Sequence, residues 1–250
     1  MIVYGRNSVA ELLRNSPREI KRIMVSENFD VSSDPRINAS IRKFRIKLSH
    51  LPKNAITDIC KSPNHQGIAA EVLDFTYSSV QEMLAVAKQR GEKVFLLILD
   101  HVEDPHNLGA IIRTADFLGV HGIVIPADRA CDVNPTVVKV SSGASANIKI
   151  ARETNLGRVI DSLKKKGIWV AGADASSGDV VSGCDFASLD IAVVIGNEGR
   201  GMRSKTKQRC DFLLSIPREG KVESLNASVA AGIFLYEVYR QRYGVKALRS

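Results

Sequence analysis

An arginine, a glutamate and two asparagines stand in three separate segments of the chain, each where an apolar run gives way to a polar loop. Arg113 follows Asp100-His101-Val102-Glu103-Asp104-Pro105-His106-Asn107, which leaves one such run, turns at Pro105 and enters a helical pattern. Its guanidinium fork suits a phosphate, although an arginine there also reads as an ordinary surface residue. Glu198 lies in Gly196-Asn197-Glu198-Gly199-Arg200-Gly201. Glycines let a ligand approach the backbone closely, and the plain alternative is a tight turn. Glu198 is a candidate to orient Arg113 if the two strand ends are neighbours. Asn226 lies in Ser224-Leu225-Asn226-Ala227-Ser228, where Ser224 is the expected N-cap of a helix. Ser224, Asn226 and Ser228 would then face a cleft, while the small residues behind them suit a core or dimer helix.

Several chemistries are poorly supported. His101 and His106 do not share a helix face, and no HExxH is present, so no metal is expected. Cys60, Cys131, Cys184 and Cys210 form no CxxC, which disfavours a zinc ribbon or a thioredoxin-like site. The glycines near 196 run G-x-x-G-x-G rather than G-x-G-x-x-G, and no P-loop exists. A nicotinamide-dependent oxidoreductase is therefore a weak rival.

The elements that must position these residues can be read from periodicity. In 250 residues, 44% are hydrophobic and 25% charged, the balance of a folded globular protein. The net charge of +8 favours a polyanionic partner, nucleic acid first. No signal-peptide pattern or membrane-length apolar run is present, so a cytoplasmic location is expected. Residues 1–75 alternate helix and strand patterns: a helix capped by Ser8, a strand over 20–25, helices over 35–44 and 54–60, and a strand over 67–73. Arg42, Lys43 and Arg45 form a basic run there, a solvated helix face or an RNA-backbone patch, to which Arg6 is added as a candidate. Residues 76–93 read as a linker helix capped by Ser78 or Ser79 and ended by Gly91. From 94 to 250 the pattern is βαβα, with strands over 94–100, 122–125, 148–151, 168–173, 191–195 and 212–216. Helices are expected over 107–118, 137–146, 156–166 and 225–243. This predicts an α/β fold with a mostly parallel sheet, and ligands at the carboxyl ends of its strands.

The three segments together resemble the SpoU (TrmH-like) family of RNA ribose 2′-O-methyltransferases, within the SPOUT class. Asn107-Leu108-Gly109-Ala110-Ile111-Ile112-Arg113-Thr114-Ala115 is similar to motif 1, Gly196-Asn197-Glu198-Gly199-Arg200-Gly201 to motif 2, and Ser224-Leu225-Asn226-Ala227-Ser228-Val229-Ala230 to motif 3. Lys139-Val140-Ser141-Ser142-Gly143-Ala144 fits the family pattern as well. Asn197 stands where Ser is common, and Ala227 where Val is common. Tyr4-Gly5 and His65-Gln66-Gly67-Ile68-Ala69-Ala70 resemble the branch that methylates a guanosine ribose in large-subunit ribosomal RNA.

The resemblance implies a C-terminal SPOUT domain with a deep trefoil knot, preceded by a small RNA-binding domain like ribosomal protein L30e. It implies S-adenosyl-L-methionine as cofactor, held by Gly196, Asn197, Gly201, Ile216 and Leu225. It implies a homodimer with the site near the subunit interface and ribosomal RNA as partner. Arg113 would hold the substrate phosphate and stabilise the forming alkoxide or act as base. Glu198 would orient it, and Asn107, Asn226 and Ser224 would complete the site. A transfer RNA substrate is the leading alternative, and a non-catalytic RNA-binding or ribosome-assembly protein of the same fold is another.

Overall fold

The structure is a computed structural model that describes residues 2–15 and 17–244. The last six residues of the expected catalytic domain lie outside the described residues. The chain separates into two compact units, residues 1–76 and 77–250.

The first unit is a four-stranded sheet between two helical layers. Its strands β1 (Ile2–Tyr4), β2 (Ile20–Ser26), β3 (Lys47–Leu51) and β4 (Ile68–Val72) lie in the order β1-β4-β2-β3. β2 and β3 are parallel, and β4 runs antiparallel to β1 and β2. Alternation along β2 and β4 sorts the side chains to opposite faces. Ile23, Val25, Ile68 and Ala70 pack with Val9 and Leu13 of α1 (Arg6–Asn15) and Ile37 of α2 (Pro35–Phe44). Met24 and Ala69 point the other way, to Ile56 and Cys60 of α3 (Lys53–Cys60). The helix expected to be capped by Ser8 starts at Arg6 instead, where the Gln66 side-chain Oε1 accepts the Arg6 N–H at 2.9 Å. β1 and β3 have no counterpart in the expected pattern: β1 is three residues long, and β3 is a polar edge strand reading Lys-Leu-Ser-His-Leu.

The second unit begins with α4 (Val80–Arg90), which carries a complete capping box between Ser79 and Glu82. This helix is not a free linker. Its Met83 is fully buried against Leu96 and Val124, because the helix closes one face of the larger sheet. That sheet has six parallel strands in the order β10-β8-β9-β5-β6-β7. They are β5 (Phe95–Asp100), β6 (Gly122–Pro126), β7 (Lys149–Glu153), β8 (Trp169–Ala173), β9 (Ile191–Gly196) and β10 (Phe212–Leu214). β5 and β9 are buried at every position, as expected of central parallel strands covered on both faces.

Leu96, Ile98, Ala192 and Val194 pack with Ile160 and Leu163 of α7 (Leu156–Lys164) and with Met83 of α4. The alternate residues serve the opposite face, where α9 (Ala227–Tyr243) lies against β9 and α5 (Pro105–Phe117) lies against α9. Short helices α6 (Pro135–Val140) and α8 (Ser204–Lys207) complete the unit. The helix expected over 137–146 breaks after Val140, at Ser142 with φ 53° and Gly143 with φ 92°, and resumes as one 3-10 turn. The far end of α9 is pinned by Arg242, whose guanidinium donates to the carbonyls of Val94 at 2.9 Å and Leu189 at 2.7 Å. Among the described residues no helix is long and apolar enough to cross a membrane.

Candidate active site

Register brings the first two motifs together. β5 and β9 are neighbours, and Asp100 pairs with Gly196, so the loops that follow them leave the sheet side by side. Asp100 is fully buried at the end of an apolar strand, and it organises both loops. One carboxylate oxygen accepts the Arg203 N–H at 2.8 Å, and the other pairs with the His101 ring. Asn197 adds a second tie. Its amide donates to the His101 carbonyl at 3.0 Å, and its carbonyl oxygen accepts the Gly199 N–H at 3.0 Å. The loop closes on itself through Asn197 N–H to Gly201 O at 3.1 Å and Gly201 N–H to Asn197 O at 2.8 Å.

Only glycine fits at 196. A Cβ there would lie 2.2 Å from the Gly201 carbonyl carbon and the Met202 nitrogen, both backbone atoms with little room to yield. The close return of the chain makes one wall of a cavity.

That cavity, of about 570 Å³, opens at the carboxyl ends of β8, β9 and β10. Its size is in the range of small-molecule sites. Among the expected cofactor residues, Gly196, Asn197, Gly201, Ile216 and Leu225 all line it. Glu198 and Ser224, expected as catalytic residues, line it too. Leu214, Ala230 and Phe234 supply apolar surface. Asp174 and Lys207, which the sequence reading missed, form an ion pair of 2.9 Å on its rim. Burial raises the Asp174 pKa, but hydrogen bonds from Lys207 and Ser176 outweigh it, so the carboxyl lies below its ordinary value. The stretch 216–225 has no helix or strand, and among the described residues its backbone N–H groups donate to no protein acceptor. Those groups remain available to a ligand.

The third motif joins the first two through a carboxylate. Glu198 Oε1 accepts from the side-chain amides of Asn107 and Asn226, the latter at 2.6 Å, and from the Ala227 N–H at 3.4 Å. Asn226 Nδ2 also reaches Asn107 Oδ1 at 3.0 Å. Asn226, not Ser224, is the N-cap of α9: its Oδ1 accepts the Ser228 N–H at 2.9 Å, and the helix starts at Ala227 rather than 225. The asparagine side chain reaches the second N–H beyond itself, and Ser224 is left on the irregular segment.

Within the chain, Glu198 and Arg113 do not pair. Arg113 is exposed on α5 and donates to Ser142 Oγ at 3.3 Å, within the segment 139–144 that also fits the family pattern. It sits six residues beyond Asn107, about 9 Å along the axis and on a different face of the helix. Arg113 therefore does not line the cavity of its own chain. Arg42 and Lys43 lie in the last turn of α2, exposed, and Arg45 is its left-handed cap with φ 53°. Arg6 stands at the head of α1 with its guanidinium 5.0 Å from the Phe29 ring centre. Among the described residues no group of three or more His, Cys, Asp or Glu side chains is placed to hold a metal ion.

These features match known proteins. The SpoU rRNA Methylase family profile matches residues 94–236, and the RNA 2′-O ribose methyltransferase substrate binding profile matches residues 2–78. The chain is 43% identical to the TrmH family member YacO of Bacillus subtilis, over 96% of this chain and 95% of the relative. It is 41% identical to the 23S rRNA (guanosine-2′-O-)-methyltransferase RlmB of Coxiella burnetii, again over 96% and 95%. The SpoU methyltransferase AviRb of Streptomyces viridochromogenes, solved in complex with S-adenosylmethionine, superposes with a TM-score of 0.67 at 25% identity, covering 97% of this chain and 90% of that one. The family uses S-adenosylmethionine, and the glycine cradle, the cavity and the open backbone of 216–225 suit such a ligand. With its three motifs gathered by register and by one shared carboxylate, the chain belongs to the SpoU family of RNA 2′-O-methyltransferases.

Proposed function

We propose that this protein methylates the 2′-hydroxyl of a guanosine in 23S ribosomal RNA, in the cytoplasm, as a homodimer. The relative named for that reaction, 41% identical along nearly the whole chain, supports the choice of substrate. The observation that carries the chemistry is the Asn107–Glu198–Asn226 network, which reaches the cavity through Glu198.

S-adenosylmethionine, when bound, supplies a methyl group already activated on a sulfonium. The chain must then place the ribose hydroxyl in line and support the loss of its proton. The amides of Asn107 and Asn226 are held by Glu198, which fixes the entrance of α5 and the start of α9 against the loop after Gly196. Arg113 holds the phosphate next to the reacting ribose and stabilises the forming alkoxide by its fork of donors. A guanidinium gives up its protons very reluctantly and makes a poor base, so this electrostatic role is the one we assign. Arg113 lies outside its own chain's cavity, and a second copy of the chain brings it to the site. The knot expected of the class lies in the segments that wall the cavity, 196–202 and 215–227.

The test uses purified protein, labelled S-adenosylmethionine, and 23S rRNA or bulk transfer RNA. Label in one guanosine of 23S rRNA, resistant to alkaline cleavage at that ribose, is the expected result. Label in transfer RNA only, or in neither, overturns the proposal.

A further inference from the structure

The His65-Gln66-Gly67 segment is not among the residues lining the cavity described above, yet it is built with unusual care. His65 is fully buried. Its Nδ1 accepts the Gly67 N–H at 3.1 Å, which leaves Nε2 to donate to Thr57 Oγ1 at 3.0 Å, and Thr57 Oγ1 donates to the Lys53 carbonyl at 3.1 Å. Gln66 takes the left-handed conformation with φ 54°, and its side-chain Oε1 accepts the Arg6 N–H at 2.9 Å. Gly67 has φ 77°, and a Cβ on it would meet Ser26 Oγ at 2.7 Å. The Gly67 carbonyl accepts the Ser26 N–H at 2.8 Å, and the Ser26 carbonyl accepts the Phe29 N–H at 2.9 Å. Three loops are thus locked together, those after β1, after β2 and before β4.

They enclose an open cleft of about 920 Å³ whose lining includes Arg6, Asn28, Phe29, Lys53 and Gln66. Phe29 is buried and backs the cleft, with the exposed Arg6 guanidinium over its ring at 5.0 Å. Glu27 and Asp30 also line it, and the Asp30 carboxylate is occupied by Ser32, through N–H at 2.8 Å and Oγ at 2.6 Å.

We propose that this cleft seats one unpaired nucleotide of the RNA substrate, its base stacked on the Arg6 plane and its phosphate on Lys53. The inference rests on the reading of the chain as an RNA methyltransferase, and it names the RNA feature that the first unit selects. An arginine plane already supported by an aromatic ring is a stacking platform for a splayed-out base. The Asn28 amide offers a donor and an acceptor to a base edge, and Gln66 Nε2 adds a donor, its Oε1 being held by the Arg6 N–H. A paired base keeps its face in the stack and cannot use such a platform, so the cleft favours a loop or bulge over a duplex.

The full-length protein is titrated with two probes, a hairpin RNA with unpaired loop nucleotides and a blunt RNA duplex of the same length. The wild type binds the hairpin more tightly. Arg6→Ala and Lys53→Ala each weaken hairpin binding about tenfold and leave duplex binding unchanged. Both cleft residues are exposed, and thermal melting checks that each variant folds; should Arg6→Ala melt early, Lys53→Ala decides. No preference for the hairpin, or hairpin binding within twofold of wild type in a folded cleft variant, overturns the proposal. S-adenosylmethionine binding is measured in parallel. Its absence in the wild type defeats the enzyme reading while the comparison of RNA probes still stands.

Discussion

Asn226 Nδ2 lies 2.6 Å from Glu198 Oε1, and this bond ties the start of α9 to the loop after β9. The same oxygen holds Asn107 at the start of α5, so three motifs share one acceptor.

A shared acceptor makes their energies interdependent. Glu198→Gln and Asn226→Ala are each expected to destabilise by about 1 kcal/mol, and the double variant by clearly less than the sum. Urea unfolding of the four proteins in the cycle measures this. Additivity would show that the bond adds nothing of its own.

Arg113 makes one long hydrogen bond and is exposed, so its removal is not expected to disturb the fold. Arg113→Ala retains S-adenosylmethionine binding and loses about 100-fold or more in methyl transfer. Arg113→Lys does not restore it, because a lysine lacks the planar fork. Single-turnover transfer and calorimetric cofactor titration separate the two effects. Turnover near wild type in Arg113→Ala removes the residue from the mechanism.

Gly196→Ala forces a methyl group against the backbone of Gly201 and Met202. Overpacking of this kind costs about 1–3 kcal/mol, and here it also displaces the cavity wall. The expected outcome is a lower Tm and cofactor affinity reduced at least tenfold. Gly178→Ala, where an added Cβ meets nothing within 4 Å, is the neutral control. Equal behaviour of the two variants would refute the cradle.

His121 predicts a pH dependence. Burial lowers its pKa from the ordinary 6.5, against the opposing pull of Glu92 at 2.9 Å. A histidine that resists protonation when folded favours the native state above its unfolded pKa, and that contribution is lost as the pH falls toward the folded value. Tm is therefore expected to fall as pH drops below about 6.5, and His121→Asn to flatten the slope in that window. Identical slopes in both proteins would assign the dependence to other groups.

Most of the second unit was legible because its strands are continuous apolar runs and its helices carry strong stripes, as in β5, β9 and α7. The three motifs were legible by residue type and by resemblance. Their connections were not. Nothing in spacing says that Glu198 serves Asn107 and Asn226 rather than Arg113, since that depends on which face of α5 meets the loop. Asp100 read only as the residue where an apolar run gives way to a polar segment, and that place at the end of a buried strand was the available signal. Ser224 lost the cap to Asn226 because two capping residues stood two positions apart, and only the path of the backbone chooses between them. Asp174 and Lys207 meet across 33 residues, with no local pattern to join them.

The neighbouring of β5 and β9 also bears on how the molecule comes to exist. Their paired residues Asp100 and Gly196 are 96 positions apart, and β9 enters the sheet between two strands made earlier. Pairings this distant slow folding, because a long loop must close before any contact rewards it. The cavity proposed for the methyl donor is walled largely by segments that arrive late, so it exists only once the sheet is whole. Ligand occupancy then reports on completed chains, and a nascent or half-assembled polypeptide has nothing with which to hold the donor.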